Sequence, residues 1–433
     1  MSLTKFSSFL KRSKVPIDIE DDQEYKRVTI RISHNGVSIR DNEEGKKIGT
    51  KKQFLLKAGQ FVMSKIDARY GAFGIAPESV EGAIITGNFW AYDVDKKKVN
   101  IEWFNQFTNS PVFYEVCERA SSGITHRKYL NESFFLNYEI FLPPVAEQLA
   151  QIEKIKDQKI SFGEITTQIT HQLSLVSQLR QSFLREAMQG KLLPQDPSDG
   201  HAKDLLATIK SEKARLGIKE KPLPPIKPED IPFQVPENWV WCRLGDTGEL
   251  IRGKSKHRPR NDARLFNNGN YPFIQTGDVA RSKTTGYLIN TINGYYNDFG
   301  LAQSALQKEG TLCITIAANI AECGFLGFDA CAPDSIVCYK SIDKFIDRYV
   351  FYYLIDARAE IEKYAPATAQ KNINLEILNS LIFPLPPLPE QHHIVAKLNQ
   401  LMQTCDALEA SIKQSKKQNE MLLQQVLREA LKQ

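Results

Sequence analysis

The chain repeats itself. Leu142-Pro143-Pro144-Val145-Ala146-Glu147-Gln148 returns 243 residues later as Leu385-Pro386-Pro387-Leu388-Pro389-Glu390-Gln391, and Leu184-Arg185-Glu186-Ala187 returns at the same interval as Leu427-Arg428-Glu429-Ala430. One offset kept at both ends of so long a stretch means a tandem duplication. It can be followed backwards through Thr125, Lys128 and Asn131, which match Thr368, Lys371 and Asn374. The chain must therefore fold twice on one plan.

Each repeated block reads as a long helix opened by prolines, which a first helical turn tolerates. In the first copy Ile155, Phe162, Ile169, Val176 and Phe183 recur every seven residues, widened by Ile152, Ile165, Leu173 and Leu179. In the second copy the places fall to Leu398, Cys405, Ile412, Asn419 and Val426, flanked by Leu401, Leu408 and Leu422. A heptad stripe is the seam of a left-handed coiled coil. Two stripes of similar length suggest that the helices pack on each other, a rod on the order of 65–70 Å at 1.5 Å per residue. The pattern alone leaves pairing between chains open.

Ahead of each helix stands a block of α+β character. Arg27-Val28-Thr29-Ile30-Arg31-Ile32 and Gly310-Thr311-Leu312-Cys313-Ile314-Thr315-Ile316 read as strands. Lys57-Ala58-Gly59 echoes Lys308-Glu309-Gly310, and Gly71-Ala72-Phe73-Gly74 echoes Gly324-Phe325-Leu326-Gly327 as the turn after the strand. A helix is expected over 99–119 and another over 345–364. The expected organisation is two α+β globules, 1–141 and 238–384, each followed by a long helix, 142–190 and 385–433. Residues 191–237, with eight prolines, form a semi-rigid connector. A short helix over 201–216 interrupts it, offering Leu205, Leu206, Ile209 and Leu216 to a neighbour.

Composition narrows the class. No run of 18 or more apolar residues occurs, which argues against a membrane span, and the opening Met1-Ser2-Leu3-Thr4-Lys5 lacks the apolar stretch of a secretory signal. Seven cysteines without a C-x-x-C pair suggest a reduced, cytoplasmic protein. Cys323, Cys331 and Cys338 read as buried small residues rather than zinc ligands, and His392-His393 as exposed polar surface. The net charge of +5 says little, but residues 251–264 carry six Lys/Arg against one acid, Asp262. Such a loop is either plain solvated surface or a grip on phosphates.

Catalytic signatures are missing. Each Pro-Pro pair follows Leu, so none builds the Asn/Asp-Pro-Pro-aromatic loop that holds a target amine for N-methylation. The sequence contains neither a phosphate-binding G-x-x-x-x-G-K-[ST] loop nor a glycine fingerprint for a dinucleotide or methyl donor. Pro333-Asp334 could open a nuclease motif, but no Asp/Glu-x-Lys follows at a suitable distance.

The twice-used Pro-Pro-x-x-Glu-Gln with Leu-Arg-Glu-Ala near the helix end resembles the specificity subunits of type I restriction–modification systems. So do Gly190-Lys191-Leu192-Leu193-Pro194-Gln195-Asp196-Pro197, Pro236-Glu237-Asn238-Trp239 and Leu244-Gly245-Asp246. The resemblance spans nearly the whole chain. It implies two domains each reading half of a split DNA site, a helix pair setting their spacing, and no catalysis by this chain. It further implies two methyltransferase subunits and motor–nuclease subunits as partners, with S-adenosylmethionine, ATP and Mg²⁺ bound by them and no cofactor or metal bound here. One departure is that the first globule lacks the Trp-bearing opening of the second and begins at once with Leu3, Phe6 and Phe9, so its first strand is left open. A related two-subunit system with a fused methyltransferase–nuclease, a stand-alone DNA enzyme and a coiled-coil scaffold are the alternative readings.

DNA readers need Arg or Lys for guanine, Asn or Gln for adenine, and cations for phosphates. The leading candidates are the loops before the long helices: Ser122, Thr125, His126, Arg127 and Lys128 in the first copy, and Thr368, Gln370, Lys371 and Asn372 in the second. Lys65, Arg69 and Tyr70, and Arg252, Lys254, Lys256 and Arg258, follow.

Overall fold

A computed structural model describes residues 2–122, 128–218, 222–317, 319–364 and 373–430. The chain forms two compact units: residues 1–170 with 413–433, and residues 171–412.

In the first unit the strand Phe61–Ser64 is buried on both faces. It sits third in a four-stranded antiparallel sheet ordered Leu10–Ser13, Phe89–Val94, Phe61–Ser64, Phe73–Ile75. Period-two alternation sends Phe61 and Met63 into an aromatic core under the helices, and Val62 into a second core shared with Val28, Ile30 and Val37 of a five-stranded sheet. The turn expected at 71–74 is in fact largely a strand, Phe73–Ile75, hairpinned onto Phe61–Ser64. The helix expected over 99–119 is two helices, Ile101–Thr108 and Pro111–Arg119. Pro111 cannot continue a helix, while Ser110 accepts from the Phe113 amide and caps a new one. The open question at the N-terminus is answered by pairing: Ser2–Lys5 is a strand, antiparallel to Glu139–Leu142.

The second unit repeats these devices. Leu312–Thr315, buried throughout, lies in a five-stranded sheet ordered Glu249–Arg252, Ile336–Lys340, Leu312–Thr315, Cys323–Leu326, Leu288–Ile289. The second-copy echo is thus also a strand, Cys323–Leu326. Gly59 and Gly310, which precede the two buried strands, both sit at positive φ (78° and 79°), where a side chain would be strained. Their amides reach equivalent carbonyls, Ala76 and Leu326, each at 2.8 Å. Val240–Arg243 pairs with Ile382–Leu385 as Ser2–Lys5 does with Glu139–Leu142. A single helix, Lys344–Lys363, stands where the first unit has two. All seven cysteines are buried and unpaired, Cys313 facing Cys338 across the sheet.

The long helices are Val145–Met188 and Leu388–Ala430. The seven-residue positions are buried or half-buried throughout: Ile155, Phe162, Ile169, Val176 and Phe183 on one, Leu398, Cys405, Ile412, Asn419 and Val426 on the other. The widening residues correct the sequence reading. Ile152, Leu173 and Leu401 are covered, but Ile165, Leu179, Leu408 and Leu422 are exposed. A second line of half-buried residues runs four residues after the first, through Thr166, Leu173 and Arg180 on one helix and Met402, Glu409 and Lys416 on the other. Within the first unit Asn419 Nδ2 donates to Thr166 Oγ1 (3.0 Å) and to the Phe162 carbonyl (3.3 Å). Within the second, Arg180 Nη2 bridges Asp406 (2.7 Å) and Glu409 (3.0 Å).

In the connector, the helix Ala202–Arg215 buries Ile209 and half-buries Leu205 and Leu206. Leu216, expected to dock, is exposed; Lys213 is buried instead, its ammonium on the Gly245 carbonyl. Farther back, Glu390 accepts from Trp239 Nε1 (2.8 Å), Gln195 Nε2 (2.7 Å) and Asn238 Nδ2 (3.4 Å). Burial pushes the Glu390 carboxyl above the ordinary range, and these three donors only partly offset it. Just above the normal Glu pKa the folded chain therefore keeps a proton that the unfolded chain has released, and this contribution to stability is lost as pH rises through the raised value. Glu390→Gln is expected to flatten that part of the stability profile, read as urea midpoints from about pH 4 to 7. An unchanged slope would mean that the carboxyl is ionised throughout. His392 corrects the sequence reading by stacking on Phe345 with centroids 3.8 Å apart, whereas His393 is exposed.

Candidate nucleic-acid interface

In each unit the buried central strand delivers the chain to one end of its sheet, where other segments converge. In the first, Ser64 Oγ accepts from the amides of Ile66 (3.3 Å) and Asp67 (3.1 Å), turning the chain as the strand ends. Lys65 follows, its amide donating to Asn88 O (2.9 Å) and its carbonyl accepting from Leu130 N (2.8 Å). The short hairpin Ser121–Ser122 with Tyr129–Leu130 is thereby laid beside it. Lys65 Nζ lies 5.6 Å from the Tyr129 ring centre, and Lys128 pairs with Glu118 at 3.1 Å. Ser122, Lys65 and Lys128 are thus brought together around an exposed tyrosine. Arg69 and Tyr70 stand on the next turn, Ala68–Tyr70, the guanidinium 4.5 Å from the exposed Tyr70 ring. Thr125, His126 and Arg127 lie outside the described residues.

The second unit has the same convergence. Ile316 follows the strand; its amide donates to Ser335 O and its carbonyl accepts from Ile373 N, each at 3.0 Å. Ile373 is Leu130 moved by the repeat offset, so the flanks of the two candidate loops are held alike. Thr368, Gln370, Lys371 and Asn372 lie outside the described residues.

The basic loop leaves this same sheet end. Gly253 N donates to Ile336 O and Lys254 N to Ala332 O, both at 2.9 Å, and Lys256 N to Gln303 O at 3.1 Å. Glycine is needed at 253, since a Cβ would come within 2.2 Å of the Pro333 carbonyl oxygen. The arginines are held: Arg252 Nε on Asp334 O (2.6 Å), Arg260 on the Asp334 carboxylate (2.7 Å), with Arg258 3.6 Å from it. Arg264 pairs with Asp262 at 2.7 Å, and His257 meets the same carboxylate at 2.8 Å. Hydrogen bonds from the Arg264 side chain and amide, with one from His257, hold the Asp262 carboxyl well below its usual range. Lys254 and Lys256 differ. Their backbones are fixed while their side chains are exposed and unpartnered among the described residues. The arrangement offers two free cations and a row of half-exposed, pre-aimed guanidiniums, which suits phosphates.

Three participants escaped the sequence reading. Tyr129 lies one residue beyond the loop chosen, and Asn88 carries no motif. Asp334 organises arginines more than 70 residues away in sequence. Among the described residues no group of three or more His, Cys, Asp or Glu could hold a metal ion, and no helix is long and apolar enough to cross a membrane.

Comparison with known proteins places this architecture. A family model described as type I restriction modification DNA specificity domain matches residues 236–417. The chain is 26% identical over 367 residues to the type I restriction enzyme EcoAI specificity subunit of Escherichia coli, covering 71% of this chain and 60% of the relative. It is 24% identical over 399 residues to the EcoEI specificity subunit of the same organism, covering 77% and 65%. The chain thus spans less than two thirds of these relatives' own length. In fold it resembles the HsdS subunit from Thermoanaerobacter tengcongensis (TM-score 0.56, 17% identity, 99% and 96% of the two chains). It also resembles a chain from a structure of type I R-M complex assembly (TM-score 0.62, 16% identity, 100% and 97%). Repeat motifs, matched domain and shared fold agree: residues 236–417 match the type I restriction modification DNA specificity domain, and the chain is similar over most of its length to specificity subunits of type I restriction enzymes.

Proposed function

We propose that this chain is the DNA-sequence-recognition subunit of a type I restriction–modification complex, binding a bipartite, gapped site and directing methyltransferase and endonuclease partners to it without catalysing either reaction. The observation that carries this reading is recurrence: the same sheet end, with a polar loop hung from the same hydrogen bonds, is built twice. Two readers on one chain suit a split site. In this reading 1–141 and 238–384 are the target-recognition domains, and 142–190 and 385–433 form an antiparallel coiled coil relating them as a pseudo-symmetric pair. The Asn419–Thr166 and Arg180–Asp406/Glu409 contacts support that pairing, since polar residues in a seam select register.

The polar loops around 122–128 and 368–372 would read base edges, and Lys65, Arg69, Tyr70 and the 252–258 loop would set register on phosphates. The partners are double-stranded DNA, two methyltransferase subunits and motor–nuclease subunits, in the cytoplasm. S-adenosylmethionine, ATP and Mg²⁺ belong to those partners.

The deciding experiment is methylome sequencing of cells expressing this chain with its neighbouring methyltransferase gene, beside a control lacking the chain. Methylation at a split motif of fixed gap, absent from the control, is expected; methylation indifferent to the chain would overturn the reading. The basic loop has its own test. Lys254→Gln with Lys256→Gln should lower the slope of log affinity against log salt by about 1–2 without changing the motif methylated. An unchanged slope would remove the loop from the interface.

A further inference from the structure

The two repeats are unequally covered. In the second unit the strand pair Val240–Arg243 and Ile382–Leu385 places Trp241 opposite Pro384, and the connector lies over this face. Phe233 meets Trp241 edge to face with centroids 5.0 Å apart, and Pro384 is buried. Arg243 donates to the carbonyls of Pro224 (3.1 Å) and Pro225 (3.3 Å). At the foot of the long helix Glu390, only 2% exposed, takes the Gln195 amide.

The first unit has the same parts in the same places. Leu3 stands opposite Phe141 in the register positions of Trp241 and Pro384. Lys5 holds the place of Arg243, Glu147 that of Glu390, and the short helix Glu132–Asn137 lies 243 residues before Leu375–Ser380. Nothing among the described residues covers them. Leu3 is 57% exposed, Phe134 46% and Phe141 44%, while Lys5 is exposed and Glu147 half-exposed, both without a side-chain partner among the described residues. Clustered large apolar side chains beside an unpaired cation and an unpaired carboxylate mark a surface meant to be occupied.

The second unit indicates by what. The described residues hold two such faces and one connector, and that connector is already held by the second unit, so a second copy of them could cover this face only by uncovering its own. We propose that the Leu3–Phe134–Phe141–Glu147 face docks a connector-like segment of another polypeptide. That segment has a Gln or Asn amide for Glu147, then an extended proline-rich stretch. Its carbonyls meet Lys5, and an aromatic side chain lies on Leu3 and Phe141. Such a stretch is stiff before it binds and loses little entropy on docking. The inference stands apart from the DNA reading, because it rests on the repeat alone.

The probe is a fluorescent peptide with the sequence of residues 190–237, titrated into the full chain by anisotropy, with sedimentation of the unliganded chain alongside. Saturable one-to-one binding is expected, weakened at least tenfold by Leu3→Asp, Phe141→Asp or Glu147→Lys. These substitutions are at surface positions, and melting curves will show that the variants remain folded. No saturable binding would overturn the proposal, as would binding indifferent to all three substitutions, which would place the peptide elsewhere. A dimer of the unliganded chain that the same substitutions dissolve would also overturn it, by making a second copy the occupant.

Discussion

Phe113→Ala is expected to destabilise the protein by about 3–5 kcal/mol, the range for a large aromatic removed from a core that cannot collapse. Phe113 has no exposed surface and meets six other rings at centroid distances of 4.8 to 6.3 Å: Phe6, Phe61, Phe73, Phe104, Phe107 and Phe135. All six of these meetings stand within about 15° of perpendicular, the edge-to-face arrangement that adds to simple burial. The six rings come from the N-terminal turn, two strands and two further helices, so no local movement can fill the void. Guanidinium unfolding followed by circular dichroism will read the loss as a lowered midpoint. A change below about 1 kcal/mol would mean a loosely packed cluster.

The second large effect separates two residues that the sequence presents as equals. Gln148 and Gln391 occupy the same place in the repeat, are fully buried, and donate to the carbonyls of Pro143 (2.7 Å) and Pro386 (2.8 Å). Gln148 does more. It also donates to Lys98 O (3.0 Å) and accepts from Asn100 N (2.7 Å), tying the long helix to the cap of the helix Ile101–Thr108. Gln391 Oε1 has no partner among the described residues. Gln148→Leu strands one amide and two carbonyls, at about 1–3 kcal/mol for each buried group left unsatisfied, and about 3–5 kcal/mol in all. Gln391→Leu strands one carbonyl and should cost about 1 kcal/mol. Equal losses in denaturant melts of the two variants would refute the distinction.

What could be read from sequence follows from where each signal resides. The seven-residue stripe was legible because burial of one helix face imposes a period on side chains, and every residue on that line is covered. The second line is not legible from apolar character: Leu179 and Ile165 point to it, but the face belongs to their polar neighbours Arg180 and Thr166, whose partners lie more than 220 residues away. Ser110-Pro111 was a readable helix boundary that the longer apolar pattern concealed. The first strand carried no alternation of its own and is fixed by Glu139–Leu142. For the interface, the density of charge at 252–264 was visible, but which cations are already held was not, since Asp334 reaches them only through the fold.

The strand pairs Ser2–Lys5 with Glu139–Leu142, and Val240–Arg243 with Ile382–Leu385, have an evolutionary consequence. In each, the chain enters a globule and leaves it on neighbouring strands, roughly 5 Å apart, so everything between is a cassette held by a hydrogen-bonded clasp. Exchange of one cassette for another by recombination leaves the clasp and the helix beyond it intact, much as insertions are tolerated where chain ends lie close together. Under the proposed function, new specificities could thus be acquired wholesale, one half-site at a time, which fits two globules that have diverged widely beside helices that still share their motifs.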